Sequence, residues 1–196
     1  MSGQPVDAEP TSDDHTIGVA LPIPDPFGQE LQAWRRSFGD PMADAIPTHI
    51  TLLPPTEIES ADREAMEKHL AEASQLHPPF VVHLRGTATF RPVSPVVFVA
   101  LARGISDCET LAKIVRTGPV PVELRFPYHP HVTVAQQLPD EAMDYAFAAL
   151  ADYEADFLVE SFGLYEHGSD GVWRRRRDFR LASNGSAPRS GVVGGG

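Results

Sequence analysis

Hydrophobic and polar positions change period several times along this 196-residue chain. "TIGVALPI", residues 16–23, is rich in β-formers and predicts a strand. Phe27, Leu31, Trp34 and Phe38 then recur at helical spacing, and Gly39 with Pro41 ends the pattern. "AIPTHITLLPP", residues 45–55, predicts a second strand that stops at Pro54 and Pro55. Around Ser60 to Ser74, Met66, Leu70 and Ala73 share one helix face, and "FVVHLRGTATF", residues 80–90, follows as a strand.

The second half repeats that order. "PVVFVALA", residues 95–102, is a nearly continuous apolar strand of the kind buried on both faces. Ser106 and Glu109 have the spacing of a capping box, opening a helix with Cys108, Leu111, Ala112 and Val115 inward. "YHPHVTVAQ", residues 128–136, reads as a strand, and Asp140 to Asp152 as a helix burying Met143, Phe147 and Leu150. "DFLVESFGLYEH", the turn "GSDG" and "VWRRRRDFRLA" predict a closing hairpin. Each half therefore runs strand, helix, strand, helix, strand, which points to an α+β fold of two similar lobes.

Within both halves the third element carries His-x-Thr: His49 and Thr51, then His131 and Thr133. The tripeptide alone is cheap, and His167-Gly168-Ser169 is a third occurrence that falls in a turn with no strand after it. The other two share more than the tripeptide. Each has a β-branched middle residue, Ile50 or Val132, and an apolar residue after the Thr, Leu52 or Val134. On a strand, residues i and i+2 lie on one face, roughly 7 Å apart. Each tripeptide thus presents an imidazole beside a hydroxyl and turns its middle residue to the core. Two such patches facing each other across a cleft offer two hydroxyl donors and two titratable rings to one phosphate. One ring can act as general base and the other as general acid, with the hydroxyls holding non-bridging oxygens. This chemistry calls for no metal and no other cofactor.

"HITLLPP" and "PHVTVAQQL", with His49 and His131 separated by 131 − 49 = 82 residues, resemble the two signatures of the 2H phosphoesterase superfamily. That superfamily includes the bacterial 2′-5′ RNA ligase-like proteins and the RNA 2′,3′-cyclic phosphodiesterases. The resemblance covers residues 16 to 182. It implies a bilobal, duplicated α+β fold, with two antiparallel-rich sheets and outer helices flanking a central cleft. It also implies His49 and His131 as the catalytic pair, Thr51 and Thr133 as phosphate ligands, and no metal. The implied chemistry is hydrolysis of 2′,3′-cyclic phosphates or 2′-5′ linkages, or ligation in reverse. A non-catalytic module binding a nucleotide or phosphorylated metabolite in the same cleft is the alternative.

Other residues are candidates of a second rank. His129 is placed at the rim of the cleft, for substrate or simply exposed. Arg91 and Arg85 offer guanidinium forks for phosphate, and Tyr128 and Phe90 offer rings to a base. Arg174 to Arg177 read as a charged edge strand, which discourages aggregation. A net charge of −11 and a pI near 5.1 leave no broad basic face for a DNA or RNA duplex, so the expected partner is a small nucleotide or an RNA end. The lone Cys108 excludes an internal disulfide and suits a reducing cytoplasm. No stretch has the length and apolarity of a membrane span, and a monomer is the expected state. Residues 1–15 and 183–196, polar and rich in Gly, Ser, Pro and acids, are expected to be disordered tails.

Overall fold

A computed structural model describes residues 15–120, 122 and 124–182. Both expected tails lie outside these residues, except His15. It opens the first strand, and its Nδ1 lies 3.0 Å from a Glu166 carboxylate oxygen. The elements in order are β1 (His15–Pro22), α1 (Phe27–Ser37), β2 (His49–Ile58), α2 (Arg63–Ser74), β3 (Phe80–Thr89), β4 (Val96–Arg103), α3 (Ile105–Val115), β5 (His131–Gln136), α4 (Asp140–Ala149), β6 (Glu154–Val159), β7 (Ser161–His167) and β8 (Trp173–Arg180). A single 3₁₀ turn, Ser60–Asp62, leads into α2.

All eight strands form one antiparallel sheet in the order β6-β3-β4-β5-β2-β1-β7-β8, where two sheets were expected. The join is the β2–β5 contact, made at Ile50 and Val132. Both residues are fully buried, so the middles of the two His-x-Thr tripeptides meet at the sheet's centre. Burying side chains of this size contributes about 1.5–3 kcal/mol each. Above them, α1 packs against β5 and α3 against β2, so each helix covers the central strand of the other half.

The halves of the chain also do not map onto halves of the sheet. After α2, β3 crosses to pair with β4 and β6, and after β6 the chain returns to pair β7 with β1. Only Glu160 separates β6 from β7, although one is an edge of the sheet and the other lies next to the far edge. Two peptide units reach no more than about 7 Å. The sheet must therefore curl until its two ends approach each other.

Three sequence expectations fail locally. β2 runs on through Pro54 and Pro55 to Ile58, because both prolines sit in a register break between Leu53↔Val19 and Thr56↔Ile17. Missing N–H groups cost little at such a break. The capping box is not used: α3 starts two residues earlier than a Ser106 cap would set it, at Ile105, from Gly104 in the left-handed conformation (φ 89°). Phe147 is 38% exposed rather than buried, and Ala146 takes the inward position beside Met143. Cys108, as expected, is buried packing, and burial among acidic neighbours pushes its thiol up to about 12. The four consecutive arginines lie exposed on edge strand β8, and each meets a carboxylate: Asp170, Asp178, Glu166 and Glu67 in turn.

Candidate active site

The two tripeptides fold alike. His49 and Thr51 on β2, and His131 and Thr133 on β5, are half-buried on one face, while Ile50, Leu52, Val132 and Val134 are buried on the other. Continuing the Ile50↔Val132 register by one residue each way sets His49 beside Thr133 and Thr51 beside His131. The imidazoles therefore occupy one diagonal of a four-residue patch, and the hydroxyls occupy the other. Diagonal neighbours across an antiparallel pair lie roughly 7–8 Å apart. The patches thus sit side by side on one curved sheet.

Each ring is also anchored in the same way. His49 Nδ1 lies 2.7 Å from the carbonyl oxygen of Pro47, and His131 Nδ1 lies 2.7 Å from that of His129. A carbonyl can only accept, so Nδ1 carries the hydrogen in both rings. Nε2 is left as the basic nitrogen, with no hydrogen-bond partner among the described residues. Burial holds both imidazoles below their usual pKa of 6.5 against these carbonyl bonds. Arg35 and His131 push His49 further down, and His129 does the same to His131.

Behind His49 stands a polar network that periodicity does not reveal. Arg35 and Asp40 are 4% and 5% exposed. Arg35 donates from Nε (3.0 Å) and Nη2 (2.8 Å) to one carboxylate oxygen of Asp40, and from Nη1 to the Ile46 carbonyl at 2.7 Å. Gln32 donates to the Ala43 carbonyl and accepts from the Thr48 backbone N–H at 2.8 Å. The loop that presents Pro47 and His49 is thus held to α1 on both sides. Behind His131, the support is aromatic. Phe90 and Phe98 place their ring centres 4.9 and 5.0 Å from that imidazole, and His129 lies 6.4 Å away.

The secondary candidates divide. His129 is exposed, with its ring beside that of His131. Tyr128 donates its hydroxyl to the Thr51 carbonyl at 2.8 Å, with the Arg116 guanidinium 4.7 Å over its ring, so it braces β2. Arg91 is held by Asp144 at 2.6 Å and Asp140 at 3.6 Å. Arg85 lies on β3, paired in register with Glu154, three strands from β2. Phe90 is committed to the Phe98 and His131 cluster.

Beside His49 and Thr51 an open cavity extends toward β7 and β8, with Gly18, Ala20, Leu53, Tyr165 and Trp173 among its walls. Among the described residues, no group of three or more His, Cys, Asp or Glu side chains is arranged to hold a metal ion. Nor is any helix among them long and apolar enough to cross a membrane.

The family described as the 2′-5′ RNA ligase superfamily matches residues 23–171, a span containing both tripeptides. The chain belongs to that superfamily. A relative from Bacillus licheniformis, named "Putative phosphoesterase", is 26% identical over 168 residues, covering 85% of this chain and 98% of its own length. A second, from Halalkalibacterium halodurans, is 27% identical over 84% of this chain and 96% of its own. Among solved structures, E. coli LigT in complex with 3′-AMP superposes with a TM-score of 0.65 at 17% identity, over 86% of this chain and 98% of LigT. TT0787 of Thermus thermophilus gives 0.60 at 21% identity, over 86% and 99%. These likenesses establish the α+β fold with its curled antiparallel sheet and four helices. Together with the relatives, membership of the superfamily supports a phosphoesterase.

Proposed function

We propose that the protein is a phosphodiesterase acting on 2′,3′-cyclic phosphates or 2′-5′ linkages by paired-histidine acid–base catalysis, with ligation as the reverse reaction. One observation carries the reading: two identically anchored imidazoles, each with Nε2 free, flank one spot that two threonine hydroxyls also border. A phosphate there has a ring at each end of one diagonal, as an in-line displacement needs. One Nε2 takes the proton of the attacking water as the new P–O bond forms. The other Nε2 gives its proton to the ribose oxygen as the old P–O bond breaks. Thr51 and Thr133 hydroxyls donate to the non-bridging oxygens, on which charge builds. Near-equivalent positions let either histidine serve as base, according to how the sugar lies. His129 stands at the rim as a further donor, and Tyr128 and Arg91 act as braces.

The substrate is a small nucleotide or an RNA end, since the net charge of −11 disfavours long duplexes. E. coli LigT, which shares the fold, has been crystallised with 3′-AMP and with ATP. Incubation with the four nucleoside 2′,3′-cyclic phosphates and a 2′-5′ dinucleotide, with product identification, tests the reading. The wild type should open the cyclic esters with a bell-shaped pH dependence. His49→Ala and His131→Ala should each lose about 10²–10⁴-fold in kcat while remaining folded. Full activity in the double variant ends the proposal. Tight nucleotide binding without turnover in the wild type replaces it with the binding module.

A further inference from the structure

The two halves of the patch match in backbone and differ in what lies beside them. On the β2 side, Ala20 pairs with Thr51 and Val19 with Leu53, with a one-residue bulge between. On the β5 side, Phe98 pairs with Thr133 and Val97 with Ala135, with a bulge at the same place. Register thus makes Ala20 and Phe98 equivalent positions. The Phe98 ring packs 4.4 Å from Phe90 and 5.0 Å from His131, so the space beside His131 is filled. Beside His49 the same space is open. A Cβ on Gly18 would come within 3.2 Å of the Trp173 ring, and one on Gly163 within 2.9 Å of the Tyr165 ring. Both aromatics therefore rest against bare backbone, and with Ala20 they leave an opening that reaches His49 and Thr51. Its other walls include Leu53 and Pro47, so the lining is mainly apolar.

From this asymmetry we propose that the cavity is the subsite for the nucleobase of the substrate, seated against Trp173 and Tyr165 with its phosphate on the four-residue patch. The cavity is small, about 90 Å³, and open at its mouth, so it takes one flat ring against its wall rather than a whole nucleotide. An uncharged flat ring suits walls that offer an aromatic face and few polar partners, whereas a second phosphate would be stranded there. Because Phe98 and Phe90 close the opposite side, the base enters on one side only. That selects one of the two orientations which the histidine pair alone would allow.

The subsite rests on the phosphodiesterase reading, and two probes separate their failures: adenosine 2′,3′-cyclic phosphate, and the methyl riboside 2′,3′-cyclic phosphate that lacks a base. Ala20→Phe reproduces the filled side, and Trp173→Ala removes the platform. Each should raise KM for the adenosine ester by about tenfold or more, with kcat within about threefold and KM for the methyl riboside within about twofold. Equal effects on both probes, or none on either, overturn the subsite and leave the reaction intact. If the wild type opens neither ester, the reaction falls. Calorimetry with adenosine 2′-monophosphate then decides: binding weakened about tenfold by either variant supports the subsite, and unchanged or absent binding overturns it. Should Ala20→Phe fail to fold by circular dichroism, Trp173→Ala carries the test.

Discussion

The buried Arg35–Asp40 pair makes a sharp prediction, because both its cost and its purpose follow from geometry. Asp40→Ala removes a carboxylate that accepts from Arg35 at 3.0 and 2.8 Å and from the Met42 backbone N–H at 2.9 Å. The guanidinium is left in a site where Arg35 is 4% exposed, with the Ile46 carbonyl as its remaining hydrogen-bond partner among the described residues. Breaking a buried pair from one side costs about 3–5 kcal/mol. Against a typical total of about 5–15 kcal/mol that is a large share, and for a chain of this size it lowers Tm by roughly 6–20 °C. Replacing both partners, as in Arg35→Met with Asp40→Leu, should recover most of the loss, since an apolar pair of similar volume leaves no buried charge. Urea denaturation of the two variants and the wild type measures this, with m values compared to confirm a common transition. A loss under about 1 kcal/mol in Asp40→Ala, or a double variant no better than the single, would refute the argument. The site should feel the change too. Arg35 lowers the His49 pKa by charge, so the double variant should raise it in an NMR titration.

Two further outcomes follow from the same geometry. Tyr128→Phe keeps the ring beneath Arg116 and deletes the bond to the Thr51 carbonyl, so urea denaturation should show a loss of about 1 kcal/mol; an unchanged midpoint would remove Tyr128 as a brace of β2. For pH, both histidines are depressed below 6.5 in the fold. Above 6.5 they are neutral folded and unfolded and contribute no slope. As pH falls below 6.5 the unfolded chain binds protons first, so stability declines until the folded pKa values are passed. His49→Gln with His131→Gln should flatten that decline in urea midpoints, and an unaltered slope would contradict the pKa directions.

What was legible in the sequence was what local pattern controls. Alternation put Ile50 and Val132 in the core and the His-x-Thr side chains on the opposite face, and helical spacing located α1 and α2 to within a few residues. What lay beyond reach depends on partners distant in the chain. Pro54 and Pro55 stop a strand that needs their N–H groups, but here β1 slips in register beside them. "DFLVESFGLYEH" reads as one strand, yet tertiary pairing sends its two parts to β3 and β1, which forces the curl. Asp40 lies between Gly39 and Pro41, where no local pattern marks it; only the fold of the 39–48 segment brings it under α1. Ala20 and Trp173 carry no acid, base or nucleophile that a sequence pattern would single out. Their meaning comes from the space left between them.

NMR of ring-labelled histidines during titration with adenosine 2′-monophosphate tests most directly whether the two imidazoles serve one anion. The Nε2 resonances of His49 and His131 should move together, with one Kd, and stop moving at one equivalent. Movement of a single ring, or two sets of shifts saturating at different concentrations, would mean that no shared phosphate site exists.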